Sequence, residues 1–188
     1  MGFDFSDFAD SYISDLKHAL DNIPMSSLEA FWEIVEITRN EGGSVHFIGN
    51  GGSAATPSHS AGDWSKELKL RTISHSDNIS SFTAWSNDTE YSNVFVGQLS
   101  TFVRDGDLVV AYTGSGNSPN VINGINYAKE NGCRTAAITG DYNGQSGASY
   151  EDISKTITEK FIISFTITVS DWSGIDTIYW KYDDTTPT

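Results

Sequence analysis

Two glycine-rich segments of the chain carry groups that could bind an anion. The first places Asn50, Gly51, Gly52 and Ser53 directly after the apolar run SVHFIG, and the second, TGSGNSPN, begins at Thr113 after DLVVA. Glycine allows the backbone to approach a ligand closely. A helix that begins after such a loop presents unpaired N–H groups to a phosphate. Both segments therefore indicate a phosphate site, and a plain strand-to-helix turn is the alternative for each.

The second segment also has the residues that start a helix. Ser118 is predicted to be the N-cap, because Pro119 follows it and proline is favoured at the first helical position. Thr113 and Ser115 add hydroxyl groups, and Gly114 lies between them. These groups could bind phosphate oxygens beside the predicted helix N-terminus.

A histidine and an aspartate follow the first glycine segment. Ser53 is expected to cap the next helix, with Pro57 in its first turn. His59 and Asp63 are four residues apart, so on a helix they share one face, which points toward the helix N-terminus. A carboxylate there could move protons, and a histidine could orient it or bind a metal ion. A solvated surface pair is the alternative. The glycine spacing matches neither the dinucleotide fingerprint nor the Walker loop.

These candidate sites need a scaffold, and the hydrophobic pattern predicts one. Apolar residues at helical spacing predict a first helix from Phe5, and a capping box of Ser26 and Glu29 predicts the start of a second. The runs SVHFIG, RTISH, DLVVAYT and CRTAAIT predict strands that alternate with helical segments. Alternation of this kind is typical of a parallel sheet with ligand sites at the carboxyl ends of its strands. The tail, from KFIISFTITV to IDTIYWKY, predicts a hairpin, and disorder is expected in the last residues.

Composition limits the classes of partner and compartment. The net charge is −14 and the pI is about 4.4, which argues against nucleic acid or an anionic membrane as a partner, because both require a basic face. No apolar run approaches the length of a membrane span, and the first residues do not resemble a signal peptide. Cys133 is the single cysteine, so we expect a cytoplasmic protein without an intrachain disulfide.

The segments GNGGSAATPSHSAGD, AWSNDTEY and GDLVVAYTGSGNSPNVINGINYAKENGCRTAAITG occur in this order. Together they resemble the sugar isomerase (SIS) domain family, in particular its phosphoheptose isomerase branch, from about Phe5 to Asp152. The resemblance implies an SIS-type three-layer αβα sandwich of the α/β class, with a flavodoxin-like parallel sheet and N-terminal helices. Residues 1–152 would form the SIS domain with its helical arm, and residues 153–188 a divergent, β-rich tail. It also implies a homo-oligomer, a dimer or tetramer, with sites at subunit interfaces.

The resemblance further implies roles for individual residues. Asp63 matches the residue that moves a proton between the first two sugar carbons. His59 matches a histidine that binds zinc in some members, so the resemblance also implies a zinc site at His59 and Asp63. The positions that match sugar-phosphate contacts are Asn50, Gly51, Gly52, Ser53, Asp88, Thr113, Gly114, Ser115 and Ser118. The implied reaction is the isomerisation of sedoheptulose 7-phosphate to D-glycero-D-manno-heptose 7-phosphate.

This sequence departs from the family pattern at three places. Asp63 stands where the family has glutamate, and Gly114 stands where many members have threonine. No histidine follows Asp152, although the family ends in a helix that carries a histidine base. Two alternatives to the isomerase follow from these departures. One is a non-catalytic module that binds a phosphosugar as a sensor or an interaction partner, and the other is an inactive product of an altered gene end.

Overall fold

The computed structural model describes residues 4–23, 25–139 and 162–164. The helices of this part are α1 (Phe5–Asp21), α2 (Met25–Asn40), α3 (Gly52–Leu68), α4 (Ile79–Asp88), α5 (Val94–Phe102) and α6 (Pro119–Glu130), with a 3-10 turn at Tyr91–Asn93. The strands are β1 (Ser44–Gly49), β2 (Arg71–Ser74), β3 (Leu108–Thr113), β4 (Arg134–Thr139) and β5 (Ile162–Ser164). The four strands predicted before the tail are therefore confirmed, whereas α4 had no sequence-based prediction from its hydrophobic pattern.

The strands form one parallel sheet in the order β2-β1-β3-β4-β5. This is the flavodoxin-like order, and it confirms the predicted fold class. Ile162 pairs with Ala137 at the edge of the sheet, so the first strand of the predicted tail joins the sheet in parallel. The remainder of the predicted hairpin lies outside the described residues.

Two apolar clusters hold the three layers together, one on each face of the sheet. Because side chains alternate along a strand, neighbouring residues of β1 enter different clusters. Ile48 packs with α5 and α6, whereas Phe47 packs with α2 and α3. The fully buried side chains include Phe95, Leu99 and Ile125 on the first face. The core therefore fixes the ends of β1 and β3, where the glycine segments begin.

The N-terminal helix is formed as predicted but is not packed into this core. Asp4 caps α1, since its carboxylate accepts hydrogen bonds from the backbone N–H groups of Ser6 and Asp7. No residue of α1 is buried, and Phe5 is 71% exposed. The predicted capping box of α2 is wrong, because the helix begins at Met25 and Ser26 is its second residue. The sequence has a proline immediately before, and proline favours the start of a helix.

Within residues 4–23, 25–139 and 162–164, no helix combines the length and the apolar character that crossing a membrane requires.

Candidate active site

The two glycine-rich loops lie side by side at one edge of the sheet. They follow β1 and β3, which are hydrogen-bonded neighbours with Gly49 in register with Tyr112. The chain places β2 on one side of β1 and β3 on the other. This is the topological switch point, where open α/β sheets bind their ligands. The sheet therefore brings together the two segments that the sequence predicted to bind phosphate.

The helix that follows the first loop, α3, begins earlier in the chain than predicted. Gly51 is the N-cap of α3, with φ 56° and no side-chain cap, so Ser53 is the second helical residue and not the cap. Pro57 lies in the second turn of the helix and not in the first. Its missing N–H cannot bond to the carbonyl of Ser53, four residues before it. That carbonyl packs against Gly49, where a Cβ would lie 2.0 Å from the oxygen.

The second loop is ordered by its own hydroxyl groups. The backbone N–H of Gly116 donates to Thr113 Oγ1 at 3.2 Å, and that of Asn117 donates to Ser115 Oγ at 3.3 Å. Gly116 has φ 68°, a value that favours glycine. Ser118 occupies the N-cap of α6, as predicted, but its side chain makes no capping bond. The hydroxyl of Ser118 is therefore not engaged by the helix that it precedes.

Gly114 is exposed, and a Cβ there would have no atom within 4 Å. Packing within the protomer therefore does not require glycine at this position.

Neither loop contains a basic residue. Residues 49–56 and 113–120 include no lysine, arginine or histidine. Within these two loops, the positive potential for an anion comes from backbone N–H groups and the N-termini of α3 and α6. Hydroxyl groups of the second loop add hydrogen-bond donors of no net charge.

Two asparagines join the loops directly. Asn50 Nδ2 donates to Asn120 Oδ1, and Asn120 Nδ2 donates back to Asn50 Oδ1, both at 2.8 Å. The hydroxyl of Tyr91 also donates to Asn50 Oδ1, at 3.0 Å. Asn120 is 1% exposed. Sequence analysis selected Asn50 but missed Asn120 and Tyr91, since these contacts span 70 and 41 residues of chain.

His59 and Asp63 share one face of α3, as predicted. His59 Nε2 lies 3.1 Å from Asp63 Oδ2, and their side chains are 82% and 61% exposed. Asp88 is the last residue of α4 and is also exposed, and its carboxylate accepts a bond from Asn87 Nδ2 at 2.9 Å. The protomer thus leaves the three ionisable candidates open to solvent, without a hydrogen bond to the glycine loops.

The described residues do not by themselves form a zinc site. They contain no group of three or more histidine, cysteine, aspartate or glutamate side chains arranged to hold a metal ion. His59 and Asp63 supply two groups, and these contact each other. Catalytic zinc sites use three protein ligands and structural sites use four. A zinc ion at this pair would need ligands from outside the described part of the protomer.

Two other histidines form a buried network under α5. His46 Nδ1 lies 3.0 Å from His75 Nε2, and His46 Nε2 lies 3.3 Å from Asp107 Oδ2. The Asp107 carboxylate also accepts bonds from the backbone N–H groups of Ser44 and Arg104, at 2.6 and 2.7 Å. A carboxylate only accepts. His46 therefore donates from Nε2 and accepts at Nδ1, to which His75 donates.

Burial keeps both imidazoles neutral. It lowers the pKa of His75 to about 3, and the neighbouring His46 lowers it further. Burial also lowers the pKa of His46, although the charge and hydrogen bond of Asp107 oppose this. His75 follows β2, but its ring is not open to a ligand, because His75 is 1% exposed and stacks on His46.

Fold, paired loops and sequence together define the class of this protein. The model of the SIS domain matches residues 8–140, and the chain belongs to this family. It is 38% identical to a probable phosphoheptose isomerase of Thermoplasma volcanium, over 84% of this chain and 79% of that protein. It is 37% identical to a probable phosphoheptose isomerase of Thermoplasma acidophilum, over 73% and 78%. The solved phosphoheptose isomerase of Neisseria gonorrhoeae superposes with a TM-score of 0.70 at 27% identity, over 85% and 80% of the two chains.

Proposed function

We propose that the protein is an aldose–ketose isomerase that converts sedoheptulose 7-phosphate to D-glycero-D-manno-heptose 7-phosphate. The observation that carries this proposal is the pairing of two phosphate-type loops at the switch point of the sheet. Relatives named phosphoheptose isomerase support it. A cytoplasmic location belongs to the same proposal, since Cys133 has no second cysteine in the chain with which to pair.

The phosphate would bind at the N-terminus of α6. The hydroxyl of Ser118 makes no capping hydrogen bond there, and Ser115 and Thr113 lie in the same loop. Gly51, Gly52 and Ser53 would contribute backbone and hydroxyl groups from the facing loop. Gly114 would contribute backbone only, where many relatives offer a hydroxyl.

Within this scheme, the sugar chain would extend from the phosphate toward Asn50, Asp88 and Asp63. Aldose–ketose isomerisation moves a proton from C1 to C2 through an enediol, while the C2 carbonyl oxygen gains a proton and the C1 hydroxyl loses one. The Asp63 carboxylate would perform the transfer between the carbons, and His59, at 3.1 Å, would orient it.

A homo-oligomer would complete the site. Asp63 and His59 are open to solvent in the protomer. Water there hydrates the carboxylate and weakens it as a base. Phe5, Ile13 and Leu20 of α1 are also exposed apolar side chains. Association of two or four chains would cover these side chains and would exclude water from Asp63 and His59. We therefore include a dimer or tetramer in the proposal.

A phosphosugar-binding module without catalysis is the second candidate. The observation that favours it is the placement of the histidines. Two of the four are buried in the network with Asp107, and His18 lies on α1. Only His59 remains near the candidate base. A sensor would retain the phosphate loops without needing a second acid–base group.

The experiment that separates these candidates uses the full chain and sedoheptulose 7-phosphate. NMR of the sugar would follow formation of the aldoheptose product. We expect turnover by the wild type and loss of turnover in Asp63→Asn, which keeps the size of the side chain. Glu67→Gln is the matched control, because Glu67 is an exposed acid on the same helix. Full turnover by Asp63→Asn would refute the assignment of the base. Binding by the wild type without turnover would favour the sensor.

A further inference from the structure

The side chain of Asn50 has most of its hydrogen-bonding capacity already used. An asparagine amide accepts two bonds at its oxygen and donates two from its nitrogen. Asn50 Oδ1 accepts from Tyr91 and from Asn120. One of the two N–H groups of Nδ2 donates to Asn120 Oδ1. The remaining N–H is the one polar group of this side chain without a partner among residues 4–23, 25–139 and 162–164.

A backbone group fixes which end of each amide faces the other. The N–H of Val121 can only donate, and it lies 3.1 Å from Asn120 Oδ1. This contact sets the orientation of Asn120, whose Oδ1 then accepts from Asn50 Nδ2. Asn50 is oriented in turn, with its oxygen toward Asn120 Nδ2 and Tyr91. Because Asn50 Oδ1 can only accept, the Tyr91 hydroxyl, 3.0 Å away, must donate to it.

The ring of Tyr91 is held in place independently of this bond. It packs edge to face on Phe82, with centroids 5.9 Å apart, and Phe82 packs on the buried Phe95 at 5.7 Å. Edge-to-face aromatic pairs stabilise a defined ring position. The core thus places the hydroxyl against Asn50, and Tyr91→Phe would remove the hydroxyl while retaining the ring contacts.

We propose that Tyr91 and Asn120 are positioning residues that hold Asn50 as a hydrogen-bond donor toward an oxygen of the bound sugar. Neither was selected by sequence analysis, and Tyr91 reaches the site from the turn before α5. The identity of the sugar rests on the proposed function, but the orientation of the amide does not. A donor in this position favours a carbonyl, hydroxyl or enediol oxygen over a ligand group that itself only donates.

A thermodynamic cycle on the full chain tests this role. The dissociation constant of sedoheptulose 7-phosphate is measured for the wild type, Tyr91→Phe, Asn50→Ala and the double variant. We expect Tyr91→Phe to weaken binding about 3- to 10-fold, the range for loss of one neutral hydrogen bond. In the Asn50→Ala background the same substitution should change binding by less than about 2-fold, because Tyr91 acts through Asn50. An equal effect in both backgrounds would overturn the proposal.

Two controls separate positioning from general damage. Tyr127→Phe removes a hydroxyl from the far end of α6 and should leave the dissociation constant unchanged. Inorganic phosphate should bind Tyr91→Phe as it binds the wild type, because the Tyr91 hydroxyl bonds to Asn50 and not to the groups proposed to bind phosphate at the N-terminus of α6. A loss of phosphate binding equal to that of the sugar phosphate would indicate a structural role and refute the proposal.

The ligand-free protein provides a readout that does not depend on the proposed function. In an amide-detected NMR spectrum of the full chain, we expect the Asn50 side-chain signals to shift in Tyr91→Phe. Exchange of their protons with water should also become faster. Tyr127→Phe should leave the same signals in place. Unchanged Asn50 signals in Tyr91→Phe would overturn the inference even if the enzyme proves to be an isomerase. Absence of turnover with a shifted Asn50 amide would reject only the proposed reaction.

Discussion

Replacement of His75 by glutamine should flatten the dependence of folding stability on pH. Burial lowers the pKa of His75 to about 3, while the same group in the unfolded chain has its ordinary value of 6.5. Between these values the unfolded state binds a proton that the folded state does not. Stability is therefore complete above the unfolded pKa and falls as the pH is lowered toward the folded pKa.

The expected magnitude follows from the two pKa values. For His75 alone, the free energy of unfolding should fall by about 2 kcal/mol between about pH 8 and about pH 5. His46 changes the stability with pH in the same sense, since its pKa is also lowered. The charges that act on His46 are Asp107, Arg104 and Arg71. All three remain in the variant, so they do not account for a change in slope.

The assay is urea denaturation at a fixed protein concentration, repeated across this pH range. A constant concentration is needed because association would shift the apparent stability. His75→Gln should lower stability at every pH, since a buried hydrogen-bonded ring is lost, but the slope should be smaller than in the wild type. His18→Gln, which removes an exposed histidine of α1, is the matched control. Equal slopes for His75→Gln and the wild type would refute this account of the buried pair.

Two further predictions concern close approaches to glycine. Gly49→Ala should destabilise the protein by about 1–3 kcal/mol and weaken phosphate binding, because its Cβ would lie 2.0 Å from the Ser53 carbonyl; thermal denaturation with and without phosphate measures both effects. Gly97→Ala should cost a similar amount and alter tryptophan fluorescence, because its Cβ would lie 2.2 Å from the Trp85 ring. Gly62→Ala is the control for both, since a Cβ there has no neighbour within 4 Å. Stability of either variant equal to that of Gly62→Ala would contradict the packing argument.

The scaffold of the site could be predicted from local patterns. Strands of four to six residues alternate with helices, and glycine and serine follow the strand ends. The sheet and both loops could therefore be predicted from the sequence. The position of Ser118 was also predictable, because Pro119 fixes the first residue of α6. These features depend on neighbours within a few residues.

Other parts of the site depend on the tertiary structure. The N-cap of α3 was misplaced because Gly51 adopts a positive φ and starts the helix early, while the Ser53 carbonyl packs on Gly49. The contact of Asn50 with Asn120 depends on the parallel pairing of β1 and β3. The contact of Asn50 with Tyr91 depends on the packing of α4 and α5. The spacing of residues along the chain does not predict such contacts. The burial of His75 could not be predicted from the strand pattern either, since α5 covers it only after the layers assemble.

The lack of basic residues in the two loops has a consequence for how a ligand arrives. A chain with a net charge of −14 repels an anionic sugar phosphate at long range. Backbone N–H groups attract the phosphate only over short distances, within the loops themselves. Dissolved salt screens the long-range repulsion, with a Debye length of about 8 Å at physiological ionic strength. Encounter should therefore become faster as salt is added, whereas a site built from lysine and arginine would show the opposite trend.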